Sequence, residues 1–284
     1  MRIGIASPIV VQHPSTASPW EATASVTDLV QVAVKADELG FAHLTCSEHI
    51  AVPVDVARER GATYWDPLAT LSYLAARTSR IRLVTQVLVL GYHHPIALAK
   101  RYGTLDVLSG GRVTLGVGVG SLQEEFDLLG VPFDGRGARA DEAMQALRAA
   151  LGVREPVFQG QHYRISDMVV EPHAVQPAMP LWVGGRTLRS LRRAVSYGTG
   201  WVPFGLGSAE LAGLLDTVPR PPGFEVVLSP GRAIDPIGAA QRTCDTLGRL
   251  RSVGATMATV AVAADSVGHY CDQLSALAEL EAAR

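Results

Sequence analysis

Several short stretches of this 284-residue chain hold side chains that can do chemistry. Ser47-Glu48-His49 follows the apolar run Phe41 to Cys46. Imidazole changes charge near neutral pH, so His49 can donate to, or exchange a proton with, a ring beside it. The plainer reading of His49 is a buried histidine, satisfied locally or paired to Glu48. Thr85-Gln86-Val87 sits within IRLVTQVLVL, Ile81 to Leu90. Gly116 to Ser121 precedes Gln123, Glu124 and Glu125. Gly184-Gly185-Arg186 stands between an apolar run and a helical pattern.

Each of these has a competing reading. Backbone N–H groups around Gly184 and Gly185 can bind a phosphate with help from the following helix dipole, or simply make a tight turn. Arg189, Arg192 and Arg193 are spaced to share one helical face that can receive an anionic tail, or be merely solvated. His93 and His94, before Pro95, suit a loop. Cys46 suits apolar packing better than nucleophilic catalysis. Glu48, His49, His93 and Glu124 can be combined on paper as metal ligands. No dense motif such as HExxH supports that, and no metal is expected.

SGGRVTLGVGVGS, Ser109 to Ser121, resembles a phosphate-cradling loop at first sight. A dinucleotide fingerprint needs G-x-G-x-x-G opening a helix. Gly116, Gly118 and Gly120 give G-x-G-x-G, one position short.

The elements that must position these groups alternate regularly. Strands are expected at Arg2–Ser7, Phe41–Ser47, Ile81–Leu90, Arg112–Val117, Leu181–Val183, Gly200–Phe204, Phe224–Leu228 and Thr256–Ala264. Helices are expected at Val26–Leu39, Pro67–Arg77, Ile96–Leu108, Arg136–Leu151 and Leu188–Tyr197. Others are expected from about Glu210, within Pro236–Ser252, and at His269–Ala282. Pro156 to Glu171 reads as a strand–turn–strand insertion before the fifth core strand. About eight strand–helix units of roughly 35 residues each fit a (β/α)8 TIM barrel, α/β in class, as one domain over 1–284. The strands are nearly continuously apolar, as expected of parallel strands buried on both faces. An open doubly wound sheet is the alternative. In a barrel, sites lie at the C-terminal ends of strands, where every stretch named above falls.

Composition narrows the function classes. The chain is 48% hydrophobic and 18% charged, with a net charge of −2. That balance favours neither nucleic acid nor an anionic membrane. The three cysteines, Cys46, Cys244 and Cys271, show no CxxC or metal spacing and fit a reduced compartment. MRIGIASPIVV reads as a first strand rather than a signal peptide. No apolar run approaches the roughly 18 residues of a membrane span. A soluble cytoplasmic protein is expected.

The order of motifs also resembles the bacterial luciferase-like superfamily, in particular its deazaflavin-dependent oxidoreductases. SEHI (47–50), TSRIRLVTQVLVLGYHHP (78–95), TLDVLSGGRVTLGVGVG (104–120), EEF (124–126), PLWVGG (180–185) and GTGW (198–201) carry the likeness. Each piece is weak alone; their order along nearly the whole chain is fairly specific.

The resemblance implies a luciferase-like (β/α)8 barrel that binds the deazaflavin coenzyme F420, or FMN, at its C-terminal mouth. His49 would lie close to the ring. Gln86-Val87 would be a cis peptide against it. Gly118, Gly120, Ser121 and Glu124 would approach the ring and its polyol chain. Gly184, Gly185 and Arg186 would hold the phosphate. His49 first, and Glu124 second, are the candidates for moving a proton. The alternating glycines are then explained by close approach of a flat cofactor. Gly110 and Gly111 serve the preceding turn.

This chain departs from the family pattern at Glu48 and Thr199, where many members have aspartate. Ser121 and Glu124 stand where some sugar-phosphate dehydrogenases have an acidic group and an asparagine. The function implied is hydride transfer between F420 and a small organic substrate; the arginine-bearing helix favours F420, whose polyglutamate tail is anionic. The alternatives are an FMN-dependent monooxygenase and a non-catalytic flavin- or partner-binding barrel. A homodimer is common in the family and is expected here.

Overall fold

The computed structural model describes residues 1–283. Its barrel strands are β1 (Arg2–Ala6), β2 (His43–Cys46), β3 (Arg82–Val89), β4 (Val113–Gly118), β7 (Leu181–Gly184), β8 (Gly200–Val202), β9 (Glu225–Leu228) and β10 (Met257–Val260). They close in the order β1-β10-β9-β8-β7-β4-β3-β2. Every neighbouring pair in the barrel is parallel. Between β4 and β7, β5 (Phe158–Gln159) and β6 (Arg164–Ile165) form an antiparallel hairpin. The architecture is therefore the eight-stranded α/β barrel, with an inserted hairpin before the fifth barrel strand.

The helices are α1 (Val26–Glu38), α2 (Val54–Arg60), α3 (Pro67–Ala75), α4 (Pro95–Ser109) and α5 (Gln123–Leu128). They continue with α6 (Arg136–Ala150), α7 (Leu188–Tyr197), α8 (Ser208–Thr217), α9 (Ala240–Ser252) and α10 (Val267–Ala282). Local chemistry sets their ends. Ser25 and Asp28 make a capping box at the start of α1. Pro95 occupies the first turn of α4, and Gly110 ends it at φ 67°. Two short helices were not expected. α2 buries no residue, and α5 buries only Glu125 and Phe126, so neither has a periodic apolar face to read.

Buried polar groups fasten the loops at the barrel's N-terminal end. The Asp37 carboxylate accepts from the N–H groups of Ser79, Arg80 and Ile81, fixing the entry to β3. Burial acts to raise this carboxyl, but those donors outweigh it and hold it below the usual range. Glu225 accepts from Trp182 Nε1 at 2.6 Å and pairs with Arg2 and Arg82.

The β3–β4 seam explains the alternating glycines. The register shifts between Thr85 and Leu88, and the Gln86–Val87 peptide bond is cis. A Cβ on Gly116 would lie 2.0 Å from the Thr85 carbonyl oxygen. One on Gly118 would lie 2.8 Å from Val87 Cγ2. Gly120 has φ +78° and sits against Phe126 and Val89. These glycines have a packing reason of their own: the bulged neighbouring strand and the Phe126 ring leave no room for a side chain.

Candidate active site

A cavity of about 840 Å³ opens at the C-terminal ends of the strands. That lies in the range of small-molecule and cofactor sites. Its walls include His49 after β2, Gln86 and Val87 in β3, and Gly118, Gly120 and Ser121 at the end of β4. Gly184, Gly185 and Arg186 after β7 complete the set, so all the sequence-derived candidates but one share this cavity.

The exception is Glu124. It is exposed on α5 and is not part of the cavity wall. Its neighbour Glu125 is 1% exposed and turns inward. The assignment of Glu124 is corrected accordingly, because one residue along a helix rotates a side chain by about 100°. Glu125 Oε2 lies 2.7 Å from His49 Nδ1 and accepts from the Tyr92 hydroxyl at 2.9 Å. Its Oε1 accepts from the N–H groups of Ile50 at 2.8 Å and Ala51 at 3.3 Å.

The network defines the chemistry of His49. Burial acts to raise the Glu125 carboxyl, but the hydrogen bond and charge of His49, with the Ile50 and Tyr92 donors, hold it below the usual carboxylate range. A carboxylate only accepts, so His49 donates its Nδ1–H to it. No described residue bonds Nε2, which is the nitrogen left for a ligand. The Tyr64 ring packs edge-on against the imidazole with centroids 4.4 Å apart. Burial, followed by the nearby Glu125 charge, pushes the Tyr92 hydroxyl well above its usual range, so it remains a donor.

The neighbouring pair is separate. Glu48 accepts from the Val89 N–H at 2.7 Å and meets His93 Nε2 at 2.7 Å. His49 is therefore partnered by Glu125 and not by Glu48. Cys46 is buried, and its thiol is pushed up to about 12 by burial, which suits packing and not nucleophilic chemistry. Thr199 bonds the Leu181 backbone and holds β7 to the loop before β8.

At another part of the wall, the β7–α7 turn presents Gly184, Gly185, Arg186 and Thr187. Gly185 has φ +138°, and a Cβ there would strike Ser190. Thr187 and Ser190 form a capping box that occupies each other's N–H groups. The Leu188 and Arg189 N–H groups are the remaining first-turn donors, and the helix dipole favours an anion beside them. Arg186 and Arg189 are exposed at the cavity wall. The expected three-arginine face is only partly formed. Arg192 lies outside the wall, while Arg193 is buried and paired to Asp141.

Arg136 was missed by sequence reasoning. Its Nε donates to the Gly120 carbonyl at 3.1 Å, and its guanidinium lies 3.6 Å from the Phe133 ring centroid. It also lines the cavity. Tyr64 and Tyr92 were missed as well. Arg136 and Tyr64 fall in no quoted motif, and nothing singles out Tyr92 within 78–95; the closed barrel brings all three to the mouth.

Comparison with known proteins places the chain. A sequence model of the luciferase-like monooxygenase family matches residues 1–220. An uncharacterized protein of Mycobacterium tuberculosis is 33% identical over 212 residues, 70% of this chain and 73% of that protein. The 4-hydroxyprotoasukamycin monooxygenase of Streptomyces nodosus subsp. asukaensis is 34% identical over 204 residues, 72% of this chain and 48% of that enzyme. An F420-dependent secondary alcohol dehydrogenase, solved with an F420-acetone adduct, superposes with a TM-score of 0.72 at 15% identity. That match covers 97% of this chain and 98% of the other. Among the described residues, no helix is long and apolar enough to cross a membrane.

Proposed function

Since the chain belongs to the luciferase-like monooxygenase family, we propose that it is an oxidoreductase exchanging a hydride between the deazaflavin coenzyme F420 and a small organic substrate. The observation that carries this reading is the one cavity lined both by His49, whose Nδ1 is held by Glu125, and by the arginine-flanked start of α7. The residues fit a phosphorylated tricyclic ring. The volume suffices, Gly184 and Gly185 keep the β7–α7 turn narrow, and α7 offers N–H donors beside Arg186 and Arg189.

When bound, the coenzyme supplies the carbon that gives or takes the hydride. The protein's part is binding, orientation and proton movement. The α7 N-terminus and Arg186 hold the phosphate. Arg189 extends positive charge beyond it, toward the coenzyme's anionic tail. Glu125 fixes the His49 tautomer, leaving Nε2 to accept the substrate hydroxyl proton during oxidation or to return one during reduction. The Tyr64 ring packs on the imidazole, and the Tyr92 hydroxyl donates to Glu125.

Titration of the protein with F420 and with FMN, followed by fluorescence, tests the assignment. F420 binding, with hydride transfer to a ketone, is the expected result. Tight FMN binding without F420 binding would replace it. One observation favours that second reading, an FMN-dependent monooxygenase: the 34% identity to the 4-hydroxyprotoasukamycin monooxygenase.

A further inference from the structure

A smaller chamber of about 140 Å³ lies beside the ends of β1, β2, β3, β9 and β10. It adjoins the mouth cavity through Val11, Ser47 and Gln86, which line both. Its walls are unlike those of the larger cavity. Ser7, Glu21, Thr45 and Thr259 face it with Ser47 and Gln86, and no described lysine, arginine or histidine belongs to its wall.

One wall residue stands out. Ser7 is 7% exposed, and its Oγ has no hydrogen-bond partner among the described residues. A buried hydroxyl left unpaired costs free energy. A ligand atom that bonds it recovers that loss.

We propose that this chamber anchors the substrate through a neutral hydroxyl or carbonyl substituent, separate from the carbon that reacts in the mouth cavity. Ser7 Oγ is the partner it bonds. The inference rests on the oxidoreductase reading above, and it adds the class of substrate that the same site takes. The substrate is bifunctional: one oxygen exchanges its proton with His49, and a second oxygen sits in the chamber.

Charge decides against an anionic substituent. A buried carboxylate needs a cation or several donors, and the chamber wall offers no cation. It offers instead a carboxyl group of its own. Glu21 is 4% exposed and already accepts from the Ile9 N–H at 2.8 Å and the Ser18 N–H at 2.7 Å. Burial raises its carboxyl despite those two donors. A second carboxylate beside it would meet repulsion in a poorly solvated space.

Three probes test the proposal: 4-hydroxycyclohexanone, 4-oxocyclohexanecarboxylate and cyclohexanone. Their binding to the full chain is measured by calorimetry or ligand-observed NMR, both alone and with whichever cofactor it takes. The hydroxyl probe is expected to bind at least about tenfold more tightly than the carboxylate. Ser7→Ala is expected to weaken the hydroxyl probe about three- to tenfold and leave cyclohexanone unchanged, as loss of one neutral hydrogen bond predicts. Equal binding of the carboxylate, no binding of any probe in either state, or an unchanged Ser7→Ala overturns the proposal. If Ser7→Ala does not fold, the discrimination shown by the wild-type protein decides. Failure here is distinct from failure of the redox reading, which the cofactor titration reports independently.

Discussion

His49 Nδ1 lies 2.7 Å from Glu125 Oε2, although 76 residues of chain separate them. The contact joins the end of β2 to the first turn of α5, and the same carboxylate closes the backbone of Ile50 and Ala51 over the pair. Glu125 therefore does two things: it orients an imidazole and it shapes the loop that carries it.

The first prediction concerns that orientation. Glu125→Gln keeps the shape of the side chain but lets the amide serve as donor or acceptor, so the His49 tautomer is no longer fixed. Single-turnover hydride transfer should slow on the order of 10- to 100-fold, part of what a general acid–base group supplies. Cofactor affinity, read by fluorescence titration, should change little. A variant that transfers hydride at the wild-type rate would remove Glu125 from the mechanism.

Stability should follow the same carboxylate. Glu125 is held below its ordinary value of 4.5, so the folded state keeps it ionised to lower pH than the unfolded chain does. Its stabilisation is complete above pH 4.5 and is lost as pH falls through the folded value. Urea unfolding should find Glu125→Gln less stable than wild type by roughly 1–3 kcal/mol at pH 7. The gap should narrow as the pH drops below 4.5; a gap independent of pH would contradict the argument.

The β3–β4 seam supplies a steric test. Gly116→Ala places a Cβ 2.0 Å from the Thr85 carbonyl oxygen, a backbone atom that cannot swing away. A loss of several °C in Tm, or failure to fold, is expected. Gly248→Ala, within α9 and with nothing within 4 Å of its new Cβ, is expected to gain about 0.5–1 kcal/mol. Thermal unfolding of the two variants should thus move in opposite directions.

The cavity-facing arginines should separate the two cofactors. Arg186→Ala and Arg189→Ala each remove an exposed cation, and each is expected to weaken F420 binding roughly two- to fivefold at low salt. Added salt should shrink the effect. FMN lacks the long anionic tail, so Arg189→Ala should affect it less. Equal losses for both ligands would place Arg189 at the phosphate alone.

Much of the architecture was legible from the chain itself. Parallel barrel strands are apolar on both faces, so they stood out as runs such as IRLVTQVLVL, and the bounds of the Leu188–Tyr197 helix were met. Motif order identified the mouth-facing stretches because a barrel puts every strand's C-terminal end on one rim. His49, Gln86, Gly118 and Gly184 could be grouped before any contact was known.

The partnerships on that rim could not be read. Glu124 and Glu125 are equivalent in a sequence, and only the rotation of α5 decides which is buried against His49. Arg136 at the start of α6, Tyr64 before α3 and Tyr92 after β3 share no spacing. The packing of Thr85, Val87 and Phe126 against Gly116, Gly118 and Gly120 left no trace in the sequence either. The physical reason is one of range. Periodicity and caps act over a turn or a strand, so they leave a local trace. Close packing and hydrogen-bond partners depend on residues brought together by the closed barrel, and no local pattern encodes them.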